Sequence, residues 1–180
     1  MSRRKSEPSL RELSKLIRVW ENLEEYPEQA RKTLEQVVNR YPDFAPGWGH
    51  LSMAYMQTGR AKDAEMAIMK AISLDPKSPG WHLFLSTLYK LAVGNAKGLM
   101  ESVERIRRLA GANVKVPREL LMAPPEYVSA ITLDALGCSY EHARQMAGKC
   151  AKEVLRLTEE KEFIQSAMDN LEDLKKAEEI

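Results

Sequence analysis

The chain has 180 residues, with 27 Lys plus Arg against 26 Asp plus Glu and a formal net charge of +1. This near-neutral balance gives no support to nucleic-acid binding by bulk charge. Apolar residues at 44% and charged residues at 29% make a globular composition and exclude a largely disordered chain. No apolar run approaches the roughly 18 residues of a membrane-spanning helix. Met1-Ser2-Arg3-Arg4-Lys5 is followed by Ser6-Glu7-Pro8 rather than an apolar core, so export through a standard signal peptide is not expected. The two cysteines, Cys138 and Cys150, are too few for a disulfide scaffold. They read as reduced thiols of a cytoplasmic protein.

Residues 1–8 read as a frayed tail. Ser9 and Glu12 stand at capping-box spacing, and Leu13, Leu16, Ile17, Trp20 and Leu23 follow at gaps of three and four. That spacing predicts a helix with one apolar face. Pro27 stops it and opens a second helix, which carries Ala30, Leu34, Val37 and Val38 and ends at Tyr41-Pro42. The pattern then recurs. Pro46 opens a helix with Trp48, Leu51, Ser52 and Tyr55, Gly59 breaks it, and a partner helix carries Ala64, Ile68, Ala71 and Ile72 up to Pro76. Pro42 and Pro76 lie 34 residues apart, as do Tyr55 and Tyr89. A third unit follows from Pro79, with Trp81, Leu85, Ser86 and Tyr89, a break at Gly94-Asn95, and Leu99, Val103, Ile106 and Leu109 up to Gly111. Helix, break, helix and stop recurring at a fixed period mark a repeat architecture. Sustained period-two alternation is absent, so the predicted fold class is all-α.

The run Trp48, Leu51, Ser52, Tyr55, Gly59, Ala64, Ile68, Ala71, Pro76 resembles a tetratricopeptide repeat. Residues 11–44 resemble it mainly in their second half, at Ala30, Leu34, Val37 and Pro42, while Ser14, Arg18 and Glu21 depart from the pattern. Residues 79–112 resemble it at Leu85, Ser86 and Tyr89, with Gly98 and Ser102 as departures. The resemblance covers 9–112 as units 11–44, 45–78 and 79–112. It implies a right-handed array of helical hairpins, an α-solenoid, whose concave face holds peptides or helices of partner proteins. It implies no catalysis and no cofactor.

In such arrays the first helix of each repeat lines the concave face. Here that face would carry Lys15 and Val19, then Gly49, His50, Met53, Met56 and Gln57, then Leu83, Phe84, Thr87 and Lys90. One subset of the family grips the carboxylate end of chaperone peptides with Lys, Arg and Asn. Val19, Gly80 and Phe84 stand where that cluster needs polar groups, and only Lys15 fits, so this mode is disfavoured. The expected contact residues are His50, Met53, Met56, Leu83, Phe84 and Lys15. Methionine-rich apolar surfaces adapt to apolar segments and mark interaction sites, so the expected partner is an apolar peptide or amphipathic helix of another protein. The competing expectation is that the chain's own C-terminal part covers the groove.

Residues 113–180 form the predicted extension. A short helix is expected over 118–122, a break at Pro124-Pro125, and an apolar helix with Tyr127, Val128, Ile131, Leu133 and Leu136 ending at Gly137. Ser139 can cap a final helix. With no later proline, the pattern predicts one long helix toward Ile180. Its stripe is Ala143, Ala147, Cys150, Val154, Leu157, Ile164, Met168 and Leu171, close to a coiled-coil seam, with Lys161 as the polar exception. Residues 159–180 carry eight acids and three lysines, so the near-zero net charge conceals an acidic tail. Two roles are open for this helix, a cap on the array or a homodimer seam.

Other chemistries find little in the sequence. Cys138, His142 and Cys150 have spacing that zinc can use, but a closed site needs a fourth ligand, and a nucleophilic pair needs an oxyanion hole. No metal is therefore expected. Arg105, Arg107, Arg108, Lys115 and Arg118 form a basic patch without interleaved aromatics, so nucleic-acid binding is not expected. No phosphate-cradling G-x-x-x-x-G-K-[ST] loop occurs.

Overall fold

The computed structural model describes residues 7–94 and 132–177. Among the described residues the regular structure is helical and no strand occurs, as the all-α reading requires. The helices are α1 (Leu10–Glu21), α2 (Pro27–Arg40), α3 (Ala45–Gln57), α4 (Ala61–Leu74), α5 (Pro79–Val93), α6 (Tyr140–Leu157) and α7 (Lys161–Lys176), with a further helical segment at 132–136. The chain divides into two compact units, Met1–Trp81 and His82–Ile180. The first turn of α5 falls in the first unit and the remainder in the second.

In the first unit, helix ends sit where local chemistry puts them. The backbone N–H and hydroxyl of Ser9 donate to Glu12 Oε2 at 2.9 and 2.6 Å. The Ser9 hydroxyl, the Ser9 N–H and then the Tyr41 hydroxyl hold the Glu12 carboxyl down at about 2. Pro27 opens α2 and Pro46 lies in the first turn of α3, where a missing N–H costs nothing. Gly59 closes the α3–α4 turn at φ +73°, a left-handed conformation that residues with a Cβ adopt at a cost. Pro8, assigned by sequence to a frayed tail, is buried.

The core of this unit joins α1, α2 and α3 through Leu16, Leu23, Ala30, Leu34, Val38, Leu51 and Ala54. α3 and α4 pack closely because their facing side chains are small: Ser52 and Ala64 are both fully buried, beside Ala67, Ile68 and Ala71. The buried Ser52 hydroxyl donates to the Gly49 carbonyl at 2.7 Å, which removes most of the cost of burying it. The Trp48 indole N–H donates to the Pro42 carbonyl at 2.8 Å, tying α3 to the end of α2.

In the second unit, Gly137 ends the 132–136 segment at φ +64°, and the Ser139 hydroxyl accepts the His142 N–H at 3.1 Å to cap α6. Both were expected. The single long helix was not formed. α6 ends at Leu157 and α7 begins at Lys161, and the Tyr140 hydroxyl near the start of α6 meets the Ala177 carbonyl past the end of α7 at 3.3 Å. The two helices are therefore an antiparallel hairpin, not one seam. Thr158 is extended (φ −144°, ψ 151°), and its hydroxyl accepts the Glu160 N–H at 3.1 Å.

The break also rephases the buried stripe. Ala143, Ala147, Cys150 and Val154 are buried as the heptad pattern predicts, but beyond it Ala167, Asn170 and Leu174 are buried while Met168 is 53% exposed. A shift of one residue turns a helix face by about 100°. Several expectations lie outside the described residues: the helix over 99–109, the short helix at 118–122, the Pro124-Pro125 break and the Arg105–Arg118 patch.

Candidate functional site

The six residues singled out from sequence fall in two places. Lys15 on α1, and His50, Met53 and Met56 on α3, belong to the first unit, whereas Leu83 and Phe84 on α5 belong to the second. Lys15 is exposed, and His50, Met53, Met56 and Phe84 are half-buried. Met53 packs partly on the α1–α2–α3 core. Val19, also expected on this face, lines an open cleft of about 380 Å³ with Arg18, Asn22 and Tyr26.

His50 is held by aromatic neighbours that sequence reasoning did not place beside it. Its ring stacks on Trp20 with centroids 3.9 Å apart and planes 12° from parallel, and Trp81 meets it edge-on at 6.2 Å. Nδ1 lies 2.8 Å from the Pro46 carbonyl, which assigns the proton to Nδ1 and the lone pair to Nε2. Burial pushes the imidazole below its ordinary value, because charging a ring between two indoles removes its hydration. Gly49 makes this arrangement possible. A Cβ there would lie 2.4 Å from the Trp81 ring, so only glycine leaves room for it. The indole N–H groups of Trp20 and Trp81 are buried and meet no acceptor.

On α5 three of the expected groove residues, Leu83, Thr87 and Lys90, are engaged by the chain itself. Leu83 packs with Phe163 and Leu171 on the cluster of Ala151, Val154 and Ala167. The Ser86 hydroxyl donates to the Ala147 carbonyl of α6 at 2.9 Å. Asn170 of α7, buried to 4% exposure, donates to Ser86 Oγ at 3.1 Å and Thr87 Oγ1 at 3.2 Å. Lys90 Nζ reaches Asp173 at 3.0 Å. Asn170 escaped sequence reading because a single amide in a charged helix resembles surface. The only signal was its place one turn after Ala167, among small and apolar residues.

The Cys150 thiol is not a reactive centre of the usual kind. Burial raises the Cys150 thiol to about 11, so it stays protonated near neutral pH, and the thiolate is the nucleophilic form. Among the described residues no group of three or more His, Cys, Asp or Glu comes together as metal ligands. Nor, among them, is any helix long and apolar enough to cross a membrane.

Comparison with known proteins bears on α3 and α4. No curated protein and no solved structure matches the chain. Residues 45–78 match the family model described as tetratricopeptide repeat. That span is the α3–α4 hairpin with its buried Ser52–Ala64 approach and its turn at Gly59. Tetratricopeptide repeats generally mediate protein–protein interaction and are generally non-catalytic. The chain is thus a tetratricopeptide-repeat-containing protein, its repeat formed by α3 and α4.

Proposed function

We propose that this chain is a non-enzymatic docking module, a scaffold or assembly factor, that holds an amphipathic helix or apolar segment of another protein. The residues that hold it are His50, Met53 and Met56 on α3, with Lys15 on α1. Units 11–44 and 79–112 are read as flanking repeats. A cytoplasmic location, with both thiols reduced, goes with this reading.

The observation that carries it is an internal one. At the 34-residue period, Gly49, Met53 and Met56 of α3 correspond to Leu83, Thr87 and Lys90 of α5. Those three α5 residues meet the hairpin of α6 and the amphipathic α7: Leu83 packs on its cluster of Ala151, Val154 and Ala167, Thr87 accepts from Asn170, and Lys90 pairs with Asp173. Corresponding positions on α3 carry flexible methionines, which suit an apolar occupant better than the Thr and Lys of α5. An amphipathic helix in such a groove is recognised by anchors at i, i+3, i+4 and i+7.

The test is capture by the immobilised full chain. Replacing Met53 and Met56 together by Glu puts charge on the face and should abolish the captured set while far-UV circular dichroism stays unchanged. If the same proteins are captured by that folded variant, the α3 face is not the binding site.

A further inference from the structure

We propose that α7 is an exchangeable element, and that the partner its opened form fits is a second copy of this chain. The proposal does not depend on what the α3 face holds. It starts from the break between α6 and α7. Thr158, Glu159 and Glu160 contain neither glycine nor proline, and Glu is a good helix former. Ending α6 at Leu157 leaves its last carbonyls, and the first N–H groups of α7, without α-helical partners. Of these, the Glu160 N–H turns to Thr158 Oγ1 instead, and no side chain caps the start of α7. Continuing the helix through 158–160 would give all of them i→i−4 bonds. Local chemistry therefore favours one helix over 140–177, about 57 Å long at 1.5 Å per residue.

What holds the hairpin closed is tertiary. Ala151 and Val154 of α6 cluster with Ala167 of α7, and Leu83, Phe163 and Leu171 pack against that cluster. The Tyr140 hydroxyl meets the Ala177 carbonyl, Asn170 bonds Ser86 and Thr87, and Lys90 pairs with Asp173. These contacts join α7 to α5 and to α6, and none requires the joined helices to come from one chain. Straightening 158–160 carries α7 off its own α5 and α6, exposing Leu83 and the otherwise buried Asn170. A second copy in the same state presents the complementary pair. Reciprocal exchange restores the α5–α7 and α6–α7 contacts twice, removes the helix break in both chains, and closes with two-fold symmetry. Short connections that resist their local preference are the ones that swap.

The experiment is refolding of the full chain at high micromolar concentration, followed by sedimentation velocity and native mass spectrometry. Wild type should yield a dimer. Glu159→Pro should fold as a monomer and dimerise at least about a hundredfold more weakly, because proline is tolerated after the extended Thr158 but not inside a continuous helix. Exchange is read by charge complementation. Lys90→Asp and Asp173→Lys each place like charges on the α5–α7 contact within one chain. Refolded together, they should form mixed dimers in excess of the random share, because exchange then pairs opposite charges at both contacts. A wild type that remains monomeric after concentrated refolding overturns the proposal. So does a Glu159→Pro variant that dimerises like wild type, or an absence of mixed-dimer excess with both variants helical by circular dichroism.

Discussion

Replacing Gly49 by Ala tests the aromatic arrangement around His50 against a competing local effect. Gly49 lies inside α3, where alanine is intrinsically better than glycine by about 1 kcal/mol. Local propensity alone therefore predicts stabilisation. The new Cβ would sit 2.4, 2.6 and 2.8 Å from three ring carbons of Trp81, whereas relaxed carbon contacts lie at about 3.5 Å or more. The indole must retreat by about an ångström, and overpacking of that kind costs about 1–3 kcal/mol. Moving the ring also weakens its edge-on contact with His50, worth up to about 1 kcal/mol. The net expectation is a loss of up to about 3 kcal/mol in place of the gain that propensity alone predicts. Gly148 is the control, since it also lies inside a helix but a Cβ there meets nothing closer than Leu174 Cδ1 at 3.9 Å. Gly148→Ala should stabilise by about 0.5–1 kcal/mol. All three tryptophans, Trp20, Trp48 and Trp81, lie in the first unit, so urea titration followed by tryptophan emission reports that unit, and helical circular dichroism reports both. A Gly49→Ala variant as stable as wild type, with unchanged emission, would refute the packing of Trp81 on Gly49.

Other expectations follow from buried polar and titratable groups. Asn170→Ala should cost about 1–3 kcal/mol by leaving the buried side of α5 short of a donor, and a double-mutant cycle with Ser86→Ala should show coupling of at least about 0.5 kcal/mol. Additivity in that cycle would mean the bond contributes nothing. His50 has a depressed folded value, so the unfolded chain binds its proton more readily. The stability this residue supports is full above its ordinary value of 6.5 and is lost as pH falls below it. His50→Phe should keep the ring stack and flatten the tryptophan-monitored stability between pH 7 and 5 relative to wild type; an unchanged slope sinks the assignment. Cys150, with its thiol raised to about 11, should resist alkylation at neutral pH in the folded chain and react in urea, read by mass spectrometry with Cys138→Ser as background. Rapid labelling without urea would contradict its burial.

The sequence by itself determined the helix ends and the repeat, because both are written in local chemistry. Pro27 at a first turn, Gly59 and Gly137 at positive φ, and Ser139 beneath the His142 N–H act within a few residues of where they stand. The apolar period of 45–78 was legible for the same reason, since spacing alone decides which side chains share a helix face. Only the tertiary structure decided the break at 158–160, where no residue forbids a helix and contacts with α5 and α6 draw α7 back. That break then set the buried side of α7, taking Asn170 inward and leaving Met168 outside. The candidate site divides along the same line. Sequence placed His50, Met53 and Met56 on one helix, but the stacking of Trp20 on His50 and the edge-on Trp81 bring together three helices. Likewise Leu83, Thr87 and Lys90 were legible as one face of α5, and only the fold revealed that the chain's own last helix engages them. Contacts across tens of residues depend on how whole helices settle against one another, and no local spacing encodes that.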